Sequence, residues 1–542
     1  MAQGLCTLSA SFAEIGGIRM TQYYERPVEF RVSNVFSNHM VLQREKNIHI
    51  FGEGKDDTEV EVTLIHKNGN SMKAKSKAMD GKWLAILPPQ KAAADVEVVV
   101  KAVEDNKIIK KTFTDVVIGE VWLAGGQSNM EFELQNCTGG KEALKNDENC
   151  NVRFYYTPQS AYKNKAFYEA EEASSWQTFD EEQARKWSAV GYFFAKKLSQ
   201  DLDGVTVGVI GCNWGGTSAS AWMPKELLLE DAELATYVEE YEQAKEGISI
   251  EEQEESYDAY VTYHAEWEQK CAKLYEENPE IEWAAVEEIL GKCQWPGPMN
   301  VKNPYRPSGL YECMLQRVCP YSLRGFIYYQ GESDDHKPKM YYKLFTKMIK
   351  KWRNDFMDDE LPFLLTQLTM HRYKQDADFK NWPIIREAQM ETYRTVKNTG
   401  IAVIIDCGEF NNIHPLNKKT VGERLELQAL TQVYHTIEKK QAFGPLYRSC
   451  IYHENEIEVC FAYAEEGFVV KGDLSGFEIA GADKEFEKAK ARIEGDKIFV
   501  FAEGVKDPRY VRYLWTNYSE VSIFGENGIP LAPFCNVSIS EV

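Results

Sequence analysis

Between residues 119 and 405, five apolar runs of strand length alternate with stretches of helical periodicity. This alternation confines the fold more tightly than any other feature of the chain. The runs are Gly119–Ala124, Val205–Gly211, Arg324–Tyr329, Pro362–Thr366 and Ile401–Ile405, and helical patterns cover Ala184–Leu202, Tyr341–Phe356, Ile384–Val396 and Lys418–Ile437. Continuous apolar runs mark strands buried on both faces, and interleaved helices supply the cover, so the expected fold class is α/β with a parallel sheet. Ligands of such sheets sit beyond the carboxyl ends of the strands, and the residues just after each run are the ones to read for chemistry.

The flanks read differently. From Val28 to Val117, short β segments (29–32, 48–51, 60–64, 96–100) are parted by the turn residues Asn68-Gly69-Asn70 and Asp80-Gly81, the pattern of a small antiparallel sandwich. After Gly444-Pro445 further β segments follow at 457–461, 497–501 and 510–514. The expected organisation is an N-terminal tail (1–27), an N-terminal β-sandwich domain (28–117), a catalytic domain (118–440) and a C-terminal β domain (441–542). Residues 226–292, Glu-rich and helical in period, form an insertion in the catalytic domain. A solvated helical hairpin is the ordinary reading of such a charge run, and a wall of the site is the other.

The 62 Lys and Arg against 84 Asp and Glu leave a formal charge of -22. That excludes nucleic acid as the main partner, because phosphate binding rests on basic residues, and it favours neutral ligands. No apolar run approaches the roughly 20 residues of a membrane span, so no membrane partner is expected. The stretch from Met1 to Gly17 has no Lys or Arg and is interrupted by Gln3, Ser9, Ser11 and Glu14, a poor secretion signal. Cytoplasmic residence is the expectation. The 12 cysteines are sparse and lack a C-x-x-C pair, which indicates buried thiols rather than a disulfide or zinc framework.

The first run leads into Gly125-Gly126-Gln127-Ser128-Asn129-Met130-Glu131. Two glycines permit a tight turn, and a serine at the start of a helix stands where free N–H groups stabilise an oxyanion. Equally, Ser128 reads as an ordinary N-cap with Glu131 closing a capping box. The second run ends in Asn213-Trp214-Gly215-Gly216, whose glycines let a backbone N–H approach a ligand while Trp214 offers a flat face for a sugar. The ordinary reading there is a plain turn. After the third run come Gln330-Gly331-Glu332-Ser333-Asp334-Asp335, with an amide able to donate to an oxyanion. The carboxylates Glu332, Asp334 and Asp335 lie too close in sequence for the opposed pair a glycosidase uses. The last run leads to His414-Pro415, a histidine on a loop after a core strand, placed to take a proton from Ser128.

Taken together these segments resemble the sialate O-acetylesterase family of the SGNH hydrolases. The resemblance is carried by Phe36–Arg44 (FSNHMVLQR), Gly119–Met130 (GEVWLAGGQSNM), Trp214–Thr217, Trp222, Leu310–Met314, Tyr329–Asp334 (YQGESD), Arg386–Gln389 and Ile413–Pro415, followed by Lys418, Gly422 and Arg424-Leu425. It implies a three-layer α/β/α domain flanked by two β-sandwich-like domains. The implied activity is that of a serine esterase, a carboxylic ester hydrolase removing O-acetyl groups from carbohydrate through an acetyl-serine intermediate. Ser128 matches the nucleophile and His414 the base, with the Ser128 and Gly216 N–H groups and the Gln330 amide as oxyanion hole. Gln127, Trp214, Glu332 and Asp334 are expected to contact the sugar. The family pattern places an aspartate three residues before the histidine, where this chain has Asn411, so the ring is held either by a backbone carbonyl or by Asn411, Asp406 or Glu409. No metal or cofactor is called for, and an oligomer is left open. Acetylated xylan or mannan fragments are the alternative substrates, and a carbohydrate-binding protein without activity is the rival from another class.

Overall fold

The computed structural model describes residues 22–146, 150–278, 281 and 283–538; the expected tail falls largely outside them. The centre of the protein is a set of six strands, β1 (Lys107–Gly126), β2 (Val152–Tyr156), β3 (Val207–Asn213), β4 (Gly325–Tyr329), β5 (Phe363–Gln367) and β6 (Thr399–Val403). They lie in the order β2-β3-β1-β4-β5-β6, every neighbouring pair parallel. The five expected runs are all in strands; four are displaced by a residue or two, and Gly119–Ala124 is the later part of a strand that begins at Lys107. Strand β2 was not among them, because Arg153 interrupts its short apolar run.

The helices that cover this sheet or frame its carboxyl end are α1 (Ser128–Glu131), α2 (Ala189–Asp201), α3 (Ala235–Ala244), α4 (Ile250–Glu277), α5 (Tyr341–Asp355), α6 (Asn381–Thr395) and α7 (Lys418–Ala429). Side chains alternate along a strand, and β1 shows what that alternation does. Trp122 faces α2, its ring 5.1 Å from that of Phe194. Gly125 points to the other face, where a Cβ would stand 3.1 Å from the Trp352 ring of α5. The sheet is thus covered on both faces, and β3 to β6 are buried along their whole length. Helix α7 ends eight residues before the expected Ile437, in a widened turn over Leu430–Tyr434.

The first half of β1 belongs to a different neighbourhood. It runs antiparallel to Ala93–Glu104, which pairs in turn with Glu59–Ile65. Along β1 the burial pattern turns from largely exposed to continuously buried at Val116. The change of pattern near Gly119 is therefore real, but the boundary expected between 117 and 118 lies inside one unbroken strand. Val41–Gln43 lies alongside Val117–Gly119, and Gln43 donates to the fully buried Glu120, 3.0 Å away. Arg324, at the start of β4, donates to the same carboxylate at 2.7 Å.

Past Gly444 the chain forms antiparallel sheets, with strands at Ile457–Ala462, Lys497–Phe501 and Tyr510–Tyr513 where they were expected. Arg386 of α6 holds this region to the central sheet. Fully buried, its guanidinium donates to the carbonyls of Leu368, Thr516 and Asn517, each 2.9 Å away. The eleven cysteines among the described residues are free thiols, and none of the described helices is long and apolar enough to cross a membrane.

Candidate active site

Strand β1 stands between β3 and β4, so the chain's first excursion runs to one side of it and the later strands to the other. Ligand crevices form at such reversals, and here the three loops GGQSN, NWGG and QGESD converge on one. Gly126 makes the convergence possible. It has φ +135°, and a Cβ on it would sit 2.1 Å from the Tyr329 carbonyl. That carbonyl instead accepts from Gln127 N at 3.1 Å, while Trp214 N donates to Gly126 O at 3.2 Å.

Ser128 is the first residue of α1, and the capping box does not form: the N-cap is Gln127. Glu131 turns outward to the second loop, accepting from Gly215 N at 2.6 Å and from Gln159 Nε2 at 2.8 Å. Ser128 Oγ is left to meet His414 Nε2 at 2.8 Å. The two residues are 286 positions apart in the chain. Burial pushes the imidazole down to about 4, with the charge of Lys418 acting in the same direction.

Asn129 is fully buried beneath this pair. Its Nδ2 donates to Glu332 Oε1 at 2.6 Å and to the Ile413 carbonyl at 3.0 Å, and its Oδ1 accepts from the Lys418 ammonium. One side chain thereby joins the serine turn, the QGES loop and the residue next to the histidine. Lys418 lies over the Phe132 and Tyr329 rings, and burial lowers its ammonium to about 7. Burial raises the Glu332 carboxyl, whose Oε2 has no partner among the described residues.

Several of the expected contacts differ. Gln330 is no oxyanion donor in this geometry: its Nε2 donates to Asp334 Oδ2 at 2.6 Å and to the Thr217 carbonyl at 3.2 Å, which leaves no N–H for a ligand. Asp334, fully buried, is not a sugar contact either. It accepts from Ser218 Oγ at 2.6 Å and Ala219 N at 2.9 Å, and so fixes the loop after β3. None of the three expected partners bonds the His414 ring. Asp406 forms a two-point pair with Arg424, with Oδ2 at 2.8 Å from Nη2. Asn411, at φ 64°, accepts from Lys374 N. Glu409 accepts from Leu416 N and Asn412 Nδ2, both at 2.8 Å, and Asn412 Oδ1 accepts from His414 N. Glu409 thus braces the backbone around the histidine rather than its ring.

Gly216, with φ +73°, is crowded from outside: a Cβ would come within 2.8 Å of Trp295 and 2.9 Å of Tyr305. These rings belong to a wall that sequence reasoning located only in part. Helices α3 and α4 of the insertion and the segment 295–307 enclose, with Gln127, Trp214, Glu332 and the Ser128–His414 pair, a cavity of about 760 Å³. The insertion is therefore a wall of the site, as one of its two readings had it. Asn129 and Lys418 gave no signal of their own as site residues beyond lying in the family motifs, since burial of a polar side chain is set by the tertiary fold. Among the described residues no group of His, Cys, Asp and Glu is arranged to hold a metal ion.

The family model of the carbohydrate esterases described as sialic acid-specific acetylesterase matches residues 118–279 and 296–428. The chain belongs to this family. It is similar to the sialate O-acetylesterase of Mus musculus, 26% identical over 480 residues that cover 84% of this chain and 82% of that protein. The sialate O-acetylesterase of Homo sapiens is likewise 26% identical, over 84% of this chain and 80% of its own length. Among solved structures, a carbohydrate acetylesterase from Xanthomonas citri superposes with a TM-score of 0.71 at 26% identity, covering 94% of this chain and 99% of that one. As a carbohydrate acetylesterase the protein is a carboxylic ester hydrolase that removes O-acetyl groups from carbohydrate.

Proposed function

We propose that deacetylation proceeds by acyl transfer through Ser128 and His414. The 2.8 Å approach of Ser128 Oγ to His414 Nε2, at the floor of the cavity, is the observation that carries this reading. His414 takes the Ser128 proton as Oγ attacks the acetyl carbonyl, and the resulting oxyanion is held by the N–H groups of Ser128 and Gly216. As the first residue of a helix Ser128 has an N–H with no intrahelical acceptor, and the left-handed conformation of Gly216 is one glycine adopts without strain. Collapse breaks the bond from the acetyl carbon to the sugar oxygen, which leaves with the proton from His414. Water, deprotonated by the same imidazole, then releases acetate from acetyl-Ser128. With no carboxylate on the ring among the described residues, the pair works as a dyad. A fluorophosphonate is expected to add to Ser128 stoichiometrically and to stop acetate release; labelling elsewhere, or activity surviving full labelling, would sink the proposal.

The same reading extends to the fold. The covered parallel sheet supports a three-layer SGNH-type catalytic domain, and the sheets before and after it support β-sandwich-like flanking domains.

A base must be unprotonated to act. Because burial holds the His414 pKa down near 4, the neutral imidazole persists to lower pH than a free one with its ordinary value of about 6.5. The acid limb of kcat/KM is therefore expected near pH 4 to 5, with activity almost flat from pH 6 to 8. A limb centred at pH 6.5 would show a ring that is solvated or paired with an acid.

A further inference from the structure

Five carboxyl side chains line the cavity, those of Glu131, Glu240, Glu268, Glu332 and Asp335, and among the described residues no Lys or Arg does. Cations beside the wall are engaged elsewhere: Lys337 lies 2.8 Å from Glu240 and over the Tyr237 ring, Lys245 2.9 Å from Glu242 and over the Tyr241 ring, Arg306 3.0 Å from Glu312, and Lys418 is bonded to Asn129. Of the imidazoles other than His414, that of His264 faces Glu268, and that of His336 is 2.9 Å from the Ser333 carbonyl. The described wall thus presents no Lys or Arg to a carboxylate.

The rest of the lining suits an uncharged ring. Trp214, Tyr241, Tyr257, Tyr260, Trp295 and Tyr305 surround the cavity with aromatic faces. Trp295 is fixed by a 3.1 Å hydrogen bond from its Nε1 to Tyr305 Oη, and Gly297 packs on Tyr260 so closely that a Cβ would come within 2.5 Å of the ring. The volume of about 760 Å³ lies within the roughly 300–1,000 Å³ of pockets that bury whole organic ligands. Burial pushes the Glu268 carboxyl up to about 7 and raises those of Glu332 and Asp335, so their share of the negative field grows as pH rises. A carboxyl oxygen accepts from sugar hydroxyls, and among the described residues Glu268 Oε1 and Glu332 Oε2 are buried without a partner. The formal charge of -22 adds a repulsive field around the whole.

We infer that this site selects O-acetyl esters on uncharged pyranosides and discriminates against acetylated sugars that carry a carboxylate. The inference rests on the assignment of the cavity as the esterase site. In this it departs from the substrate for which the curated relatives are named, since sialic acid is an anion at neutral pH.

The test compares the methyl glycoside of 9-O-acetyl sialic acid with its C1 methyl ester, two substrates that differ only in that charge, alongside an acetylated xylo-oligosaccharide. At low salt kcat/KM for acetate release is expected to be at least about 10-fold higher for the methyl ester than for the acid, because like charges brought together repel most where salt screens them least. The ratio should narrow at high salt, and narrow again in the double variant Glu240→Gln, Glu268→Gln, which releases Lys337 as well. Equal turnover of the two, or preference for the free acid, would overturn the inference. So would a gap indifferent to both salt and the double substitution, which would assign the selection to shape. Turnover of 4-nitrophenyl acetate by the wild type and Ser128→Ala separates this from failure of the catalytic assignment. An aryl acetate cleaved equally by both proteins would fault the assignment, whereas aryl acetate cleaved by the wild type alone, with no acetylated sugar cleaved, would fault the selectivity.

Discussion

Ser128→Ala is expected to lower kcat for acetate release by on the order of 10⁴ to 10⁶, the range seen when the nucleophile of a serine hydrolase is removed. KM should change little, because among the described residues the hydroxyl hydrogen-bonds only to His414, while the cavity wall offers aromatic rings on which a sugar can stack. His414→Ala should cost a similar factor, and the double variant little more than either alone, since the two side chains act as one unit. Thermal unfolding should be nearly unchanged in Ser128→Ala, as the residue lies only partly buried on a turn held by backbone bonds. More than about 1% residual activity, in protein free of wild type, would exclude Ser128 as nucleophile.

Asn129→Ala is expected to have the largest effect on stability within the site. The substitution strips Glu332 Oε1 and the Ile413 carbonyl of a donor and leaves the Lys418 ammonium without its acceptor, all in a buried place. Leaving buried charged groups unpaired costs about 3–5 kcal/mol, which for a chain of this size lowers Tm by roughly 3–7 °C. Activity should fall too, because Ile413 precedes His414 and loses the bond that fixes it. A variant with wild-type Tm and kcat would show that water replaces the amide at no cost. Asn129→Asp, which keeps the acceptor for Lys418 but sets a second carboxylate against Glu332, should recover little.

Much of this arrangement was legible in the sequence, and the limits have physical causes. The apolar runs announced the buried strands because burial on both faces leaves no room for polar residues, and Arg153 hid β2 for the same reason. The turn residues located Ser128, Gly216 and His414, whose backbone demands are written into neighbouring glycines and a proline. Hydrogen-bond partners were another matter. Whether Gln330 aims at a ligand or at Asp334, or whether Asp406 serves His414 or Arg424, depends on which of several polar groups within reach the packed core brings nearest. Adjacency in sequence does not contain that choice. The aromatic wall was half-visible as a Tyr- and Trp-rich insertion, but only the return of segment 295–307 beside Gly216 turns it into part of a pocket.

The 20-residue strand β1 has a mechanical meaning. Its first half pairs in the N-terminal sheet and its last residues lead into the turn that presents the nucleophile. A bulge at Asp115, with φ 51° and a shift of register opposite Val96–Val98, bends the strand where the two sheets meet, yet the backbone continues without a loop into Gly125-Gly126. The N-terminal sheet is thus no accessory that recombination could exchange for another module. Severing it would cut a strand in two and bare hydrogen-bonding edges on both pieces, and the alignment of serine with histidine is inherited from a framework that begins far outside the pocket.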